Sequence, residues 1–456
     1  MTVPTLRAWL SRLQASRQLA VVHRRVDPRF ELTAVAKRLD GQRPVFFTRV
    51  GDYRIPVVAG IAASRRLLAD ACGTEPAGIV DRLIAAEADP RPCEVVSPAE
   101  APVRECVVRR DIDLLGLLPI PLHHEKDGGN YVSAGLCIVR DPVTRTQNVS
   151  IHRLQVVGPD RFTALILPRH TDHLYRQAES QDEPLECAIV IGVDPATLLA
   201  SQSHVPFGVS ELEIASALHD EPLPVVRCET VDVDVPAEAE IVIEGRLLPN
   251  LREPEGPFGE FPRYYGARSD KPVLQVSAIT HRRRPIFHDI VPAGYEHLLL
   301  GAIPREASLL RGLRRSFPTV RVVHMTPGGS CRFHAVIGME KRQEGQAKNV
   351  ILATLANNFD IKHVWVVDPD VDIFDPEAVE WAVATRFQAD RDLLVVGGAQ
   401  GSRLDPSSSD GVSAKMGFDC TVPIGSDPFR YEAIRIPGLA EVDPAEYVDD
   451  TARLDL

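Results

Sequence analysis

The sequence predicts a mixed α/β (α+β) protein in three parts: a small N-terminal α/β unit over residues 1–105, a β-rich central unit over 106–310 and a C-terminal α/β unit over 311–456. Three observations carry this. At roughly 150 residues per compact unit, 456 residues make about three. Hydrophobic residues at 44% and charged residues at 25% are the proportions of an ordinary globular chain, which excludes a collagenous, coiled-coil or disordered one. The texture of the chain also changes twice, from mixed runs to closely spaced strands and back to alternation.

The N-terminal unit opens on a helix. Leu6, Leu10 and Leu13 recur at helical spacing, and Thr5 stands where a cap is needed. Residues 20–100 then mix β-branched runs such as PVFFTRV with helical ones such as GIVDRLIAAEA. Pro, Ala, Ser and Glu crowd residues 95–105, the texture of a linker or domain edge. From 106 to 290, runs such as YVSAGLCIV, LECAIVIGV, AEIVIEGRL and VLQVSAI lie between Gly, Pro and Asp, which predicts a barrel or sandwich. GVSELEIASALHDEP interrupts them as a helix with Leu212, Ala215, Ser216 and Leu218 on one side. After about 310, TVRVVHM, NVILATLANNF, HVWVVDPDVDIF and AVEWAVATRF restore a βαβ rhythm. The acidic tail after Ile434 is expected to be a surface arm or a subunit contact.

Lys plus Arg number 51 against 63 Asp plus Glu, a net charge of −12. That field repels nucleic-acid phosphates and acidic lipid, so neither is an expected partner, and an anionic ligand needs a local cationic pocket. The eight cysteines form no CxxC cluster and read as isolated thiols. Arg7 and Arg12 interrupt the only stretch a signal peptide would use, and no apolar run reaches membrane-spanning length, so a cytoplasmic protein is expected.

Three constellations carry chemistry. Glu255 and Glu260 stand five apart across two glycines and a proline in EGPFGE, a spacing that requires a tight loop. In NVSIHRLQ a strand alternation sets Asn148, Ser150 and His152 on one face and Val149, Ile151, Arg153 and Gln155 on the other. A guanidinium on the apolar face needs a carboxylate, which Glu255 or Glu260 supplies; an exposed edge strand would instead leave Arg153 wet. Asn148, His170 and Glu211 offer an oxygen and nitrogen donor set suited to Mn²⁺ or Mg²⁺.

The ordered series NxSIxRxQ, a histidine, GVSExE, AEIVIEG, EGPFGE, VDxDVDI and SxKMGxDxT, spread over about residues 100–425, resembles the UbiD-like decarboxylases, which use prenylated FMN. The resemblance implies a split β-barrel for the central, flavin-binding unit and an oligomerising C-terminal unit, in a homodimer or higher oligomer with a flavin prenyltransferase as cofactor supplier. It implies Mn²⁺ on Asn148, His170 and Glu211, with Glu213 competing for the acidic position. Cofactor contacts from Ser150, Ile151, His152, Arg153, Gln155 and Arg169, Lys415 on the flavin phosphate, and K⁺ on carbonyls near Ala200 and Ser201 belong to the same implication. Arg169 departs from a glutamine often found before the histidine. Arg153, Glu255 and Glu260 become the catalytic trio, with Glu260 as proton donor and Glu255 positioning Arg153, although the two labels are exchangeable at this stage. The implied reaction is reversible, non-oxidative decarboxylation of an aromatic or heteroaromatic acid. Decarboxylation leaves electron density on carbon and so needs an electron sink that side chains lack.

His297 and Arg305, eight apart across a helix-like stretch and an expected Gly-Ala-Ile-Pro loop, together with Phe418, are the candidate substrate residues. They favour a furan dicarboxylate or a pyrrole- or indole-carboxylate; a pairing of Arg305 with Glu306 or with a helix terminus outside the site is the alternative. Rival functions are a 4-hydroxybenzoate decarboxylase of ubiquinone-type biosynthesis, a non-catalytic flavin-binding assembly subunit, and a metal hydrolase on His123, His124 and Glu125. That last trio is expected at a loop surface. The aspartates of VVDPDVDIF are expected to end a buried strand, Trp9, Trp365 and Trp381 to be packing anchors, and GGAQGS lacks the GxGxxG order of a nucleotide loop.

Overall fold

The computed structural model describes residues 5–447. The first helix spans Leu6–Ala15. Thr5 Oγ1 accepts from the Ala8 N–H at 3.1 Å, and Leu6, Trp9, Leu10 and Leu13 are buried. Beside it lies a four-stranded sheet of Ala20–Val22, Val45–Phe47 and Val57–Ala59, completed by Phe287–Asp289 from the far end of the central unit. Residues 95–105 are more ordered than a linker: Glu94–Val95 pairs with Pro224–Arg227, and Val103 is fully buried.

The central unit is a nine-stranded antiparallel sheet. Its path runs Tyr131–Val132, Leu154–Gly158, Arg161–Ala164, Ser269–His281, Ile241–Glu255, Leu185–Ile191, Leu136–Arg140 and Gln147–Ile151, and Cys106–Val108 pairs with Ser269–His281. The two end strands of the path do not pair with each other, so no closed barrel forms. The sheet must nevertheless curl, because the chain passes from the last strand of the path at Ile151 to the second at Leu154 in three residue steps. Both faces are covered: Ala188 and Val190 belong to one core, while Cys187, Ile189 and Ile191 belong to the other. That explains an apolar run without alternation. Cys137 and Cys187 meet inside it, Sγ to Sγ at 3.0 Å, so these two thiols are not isolated.

NVSIHRLQ is not one strand. It breaks between Ile151 and Leu154, so the single alternation expected across Asn148–Gln155 does not continue through His152 and Arg153. The helix Glu211–His219 forms as expected. Tyr295–Ser316 is one helix of 22 residues that runs through Pro304, where a loop was expected. Proline removes one helical N–H. The turn is held by burial of Leu300, Gly301, Ala302, Ile303 and Pro304, and Arg305 Nη1 donates to Gly301 O at 2.7 Å.

The C-terminal sheet has the order Val320–Met325, His334–Met339, His363–Val367, Val412–Cys420, Leu393–Gln400, with the inner pairs parallel and the outer ones antiparallel. Asp368 and Asp370 follow a strand end and bind Arg386. Trp9 is buried and Trp365 half-buried, but Trp381 is an exposed shelf for Arg386 rather than an anchor. The tail is exposed at Ile434 and Ile436; residues 448–456 of the expected arm lie outside the described residues. Among the described residues no helix is long and apolar enough to cross a membrane.

Candidate active site

The strands Ile241–Glu255 and Ser269–His281 stay paired to Glu255 and Ser269, and the loop between them carries its own short pair, Phe258–Gly259 with Tyr265–Gly266. This hairpin presents both acids to Arg153. Arg153 Nε and Nη2 donate to the two oxygens of Glu255 at 2.8 and 2.7 Å, while Nη1 binds Glu260 Oε1. Glu255 is wholly buried and Glu260 nearly so. The break at His152–Arg153 makes this geometry: by leaving the strand, Arg153 turns out of the sheet into the junction. Phe258 lies under its guanidinium at 4.9 Å and against the ring of Tyr131 at 4.4 Å.

Side chains unforeseen in the sequence support the junction. The Tyr131 hydroxyl lies 2.9 Å from Gln155 Oε1 and 3.0 Å from Glu255 Oε1. Gln155 donates to Gly128 O at 2.9 Å and accepts from the Gly256 N–H at 2.8 Å, so its contacts are to protein. Gly128 is packed against the Gly256 carbonyl with no room for a Cβ, which is the one signal the sequence offered here. His123 is not at the surface. Its Nε2 meets Asp289 Oδ1 at 2.9 Å in full burial, and Ser133 Oγ donates to the same oxygen at 2.8 Å. Strand pairing of Phe287–Asp289 with the N-terminal sheet brings Asp289 there, a contact no local pattern announces.

The expected metal donors gather at one end of Gln147–Ile151. His170 Nδ1 lies 3.1 Å from Asn148 Oδ1, and Glu211 Oε2 accepts from the Val149 N–H at 2.7 Å. Burial pushes Glu211 up to about 8 and pushes His170 down. Among the described residues Glu211 pairs with no cationic side chain. A buried carboxylate beside an amide oxygen and an imidazole is a donor set that fits a hard divalent cation, and a cation would offset the cost of its charge. Among the described residues no three His, Cys, Asp or Glu side chains are grouped so as to hold a metal ion by themselves, so any ion there depends on the Asn148 amide. Glu213 is not brought to that backbone contact. Ser150 Oγ joins His152 Nε2 at 2.9 Å and Thr171 Oγ1 at 3.2 Å, and burial pushes His152 down to about 4. Ile151 is half-buried against the core.

A second cationic group packs on the hairpin through Phe261. Arg332, 6% exposed, lies over Phe261, the residue after Glu260, at 5.3 Å. Among the described residues it donates only to the carbonyls of Leu298 and Cys331, and it rests on Gly301, where no Cβ fits. Arg305 shares that helical turn, its nearest acid being Asp360 at 3.9 Å. Glu306 instead takes Arg65 and His324, which removes the expected pairing of Arg305 with Glu306. Burial, then the charge of Arg332, pushes Arg305 well down from its ordinary value. A guanidinium keeps its proton in a protein, so an anion relieves this strain. His297 Nδ1 accepts from the Ala293 N–H at 3.1 Å, leaving Nε2–H as its donor, and burial beside Arg332 and Arg305 pushes it down to about 3. Arg169 donates to His204 Nε2 at 3.1 Å. Lys415, 3% exposed, reaches only Phe359 O among the described residues, at 2.8 Å, and fits an anion such as a phosphate. Phe418 is not brought to the site. Strand parity sets it opposite Lys415, stacked on Trp365 at 5.7 Å and against Phe387. Ser201, at the end of the helix Pro195–Ala200, turns its Oγ to Leu198 O and its carbonyl to Gln202.

The sequence matches three family profiles in register with these units: the 3-octaprenyl-4-hydroxybenzoate carboxy-lyase N-terminal domain over residues 10–87, its Rift-related domain over 94–295 and its C-terminal domain over 298–420. The structure superposes on the UbiD-class enzyme HmfF from Pelotomaculum thermopropionicum in complex with FMN, with a TM-score of 0.96 and 55% identity over 98% of this chain and 100% of that one. An evolved dimeric form of HmfF in complex with prFMN gives 0.92 and 52% over 97% and 100%. The anhydromevalonate phosphate decarboxylase of Methanothermobacter thermautotrophicus is 40% identical over 407 residues, 89% of this chain and 94% of that protein. With Arg153, Glu255 and Glu260 joined on one hairpin and relatives matched along nearly their whole length, the chain belongs to the UbiD family of carboxy-lyases.

Proposed function

We propose that this protein catalyses the reversible, non-oxidative decarboxylation of a heteroaromatic acid bearing a second anionic group, with a furan dicarboxylate as the reading favoured over pyrrole- and indole-carboxylates. The observation that carries it is the surplus of buried positive charge beside the acids: Arg305 lies on the helical turn against which Arg332 packs at Gly301, and the one acid paired with Arg305 among the described residues is Asp360 at 3.9 Å. Two guanidiniums and the Nε2–H of His297 match a carboxylate in number and kind. Phe261 links that grip to Glu260.

Asn148, His170 and Glu211, by way of Mn²⁺ (or Mg²⁺), and Lys415 would hold prenylated FMN, which would supply the electron sink; HmfF bound to FMN and prFMN supports this choice. Arg169, with Ser150, Ile151 and His152, would border it, and the carbonyls near Ala200 and Ser201 would hold K⁺. The protein's own part is to bind, orient and deliver a proton. Glu260 is assigned as donor because Arg153 holds it through one nitrogen, whereas Glu255 has both oxygens occupied. The curled central sheet acts as the split barrel of the family, and the chain works as a homodimer or higher oligomer, a reading the evolved dimeric HmfF form supports.

The anhydromevalonate phosphate decarboxylases favour a second reading, in which the same cationic group takes a phosphate. Co-expression with a flavin prenyltransferase, cofactor mass, and CO₂ release from furan-2,5-dicarboxylate, 2-furoate, a phosphorylated unsaturated acid and a polyprenyl hydroxybenzoate separate these. Preference for 2-furoate rejects the second-anion reading. Glu260→Gln should abolish turnover and retain bound flavin; normal rates would refute its role.

A further inference from the structure

Three oxygens surround the Tyr131 hydroxyl, and it has one proton to give. Gln155 Oε1 is at 2.9 Å, Glu255 Oε1 at 3.0 Å and Pro257 O at 3.4 Å, and the tyrosine is wholly buried. The Gln155 amide cannot be turned to donate. Reversing it would set its nitrogen against the Gly256 N–H, now 2.8 Å from Oε1, and its oxygen against Gly128 O, now 2.9 Å from Nε2. Every polar neighbour found for this hydroxyl among the described residues is therefore an acceptor.

Two arrangements fill the set. With Glu255 ionised, Tyr131 donates to it, Arg153 occupies its remaining sites, and Gln155 Oε1 is kept satisfied by Gly256. With a proton on Glu255, that proton is donated to the phenol oxygen and the tyrosine O–H turns to Gln155. Neither leaves a buried polar group unpaired, so passing a proton between the two acids avoids a desolvation cost. A phenylalanine would remove the first arrangement's third donor and the second's acceptor together. On the neighbouring 123–130 loop, Asp127 accepts from the N–H groups of Gly259 and His124, and the His124 ring packs on Gly259. Both hold the hairpin and touch neither oxygen of Glu255.

Resting on the roles proposed above for the two acids, we infer that Tyr131 is a positioning residue that fixes the shared proton on Glu260 by donating to Glu255, and that Gln155 is the acceptor to which it turns when Glu255 takes that proton up. Tyr131 touches no substrate in this scheme; it acts through Glu255.

Tyr131→Phe in the flavin-loaded enzyme should lower kcat by about ten- to hundred-fold, the worth of one hydrogen bond to an ionised group. Folding and flavin content should be unchanged. In a Glu255→Gln background the same substitution should change kcat by less than about two-fold, since its target is gone. The spectroscopic signature separates this from mere packing. In the parent enzyme the infrared band of the protonated carboxyl should vanish in Glu260→Gln and persist in Glu255→Gln; with Tyr131→Phe present, it should instead vanish with Glu255→Gln. A band that stays on Glu260 in Tyr131→Phe, or an equal loss of kcat with and without Glu255, overturns the inference. A fully active Glu260→Gln enzyme would sink the underlying assignment of the acids, whatever Tyr131 does.

Discussion

Arg305 shows how a side chain's surroundings decide its role. Its Nε is buried without a hydrogen-bond partner among the described residues, its Nη1 is spent on Gly301 O, and its nearest carboxylate stands at 3.9 Å. A charge left in that state is costly unless an anion arrives. His297 adds a donor that does not titrate in the working range, because its tautomer is fixed by Ala293 and burial pushes it down to about 3. Arg305→Ala should therefore reduce kcat/KM on furan-2,5-dicarboxylate by about ten- to hundred-fold, the range for a charge-assisted hydrogen bond, and change the rate on 2-furoate little. Steady-state rates on the two acids check this, and equal losses would show that Arg305 supports the fold rather than the second acid group.

The Glu255–Gly266 hairpin is the element on which the acids depend. Gly259 lies against His124, whose Nδ1 would be 2.6 Å from an added Cβ, and its N–H donates to Asp127 at 3.0 Å. Gly259→Ala must push the hairpin away from the 123–130 loop and carry Glu260 with it. A misplacement of about 1 Å costs roughly 10² in rate, so kcat should fall by that order while circular dichroism and thermal melting stay near the parent's; an unchanged kcat would show that the hairpin tolerates the shift. Much of this element was legible in the sequence, because two carboxylates divided by Gly-Pro and Gly admit only a tight turn. The first helix was legible too, from Leu6, Leu10, Leu13 and the Thr5 cap. What escaped has a common cause: it depends on partners distant along the chain. Asp289 reaches His123 only through a strand pairing with Val57–Ala59, Pro304 is tolerated only because the turn around it is buried, and Arg153 leaves its strand only because two acids wait for it. Phe418 was misplaced for the opposite reason: the parity of Val412–Cys420 was available locally and separates it from Lys415.

Across the whole molecule, buried ionisable groups set opposing dependences of stability on pH. His152, His297 and His334 are pushed by burial down to about 4, about 3 and about 4 from 6.5. The unfolded chain binds protons below about 6.5 that the folded one refuses, so stability falls as pH drops from there through about 4. Glu211 has the opposite sign. Burial raises it from 4.5 to about 8, so the folded state keeps a proton that the unfolded state releases, and stability falls as pH rises across that window. Above about 6.5 these histidines no longer contribute, and the alkaline decline of the metal-free protein takes in Glu211 together with Glu87, Glu213, Glu244 and Asp368, which burial also raises. A cation on Asn148, His170 and Glu211 displaces that proton, and its affinity rises with pH for the same reason. Melting curves of chelator-treated protein at pH values of about 5, 6.5 and 8, with and without Mn²⁺, should show the largest stabilisation by metal at the alkaline end. Glu211→Gln should lessen the alkaline decline and remove the metal's effect. Stabilisation by Mn²⁺ that is equal at every pH, or that survives Glu211→Gln, would place the ion elsewhere in the molecule.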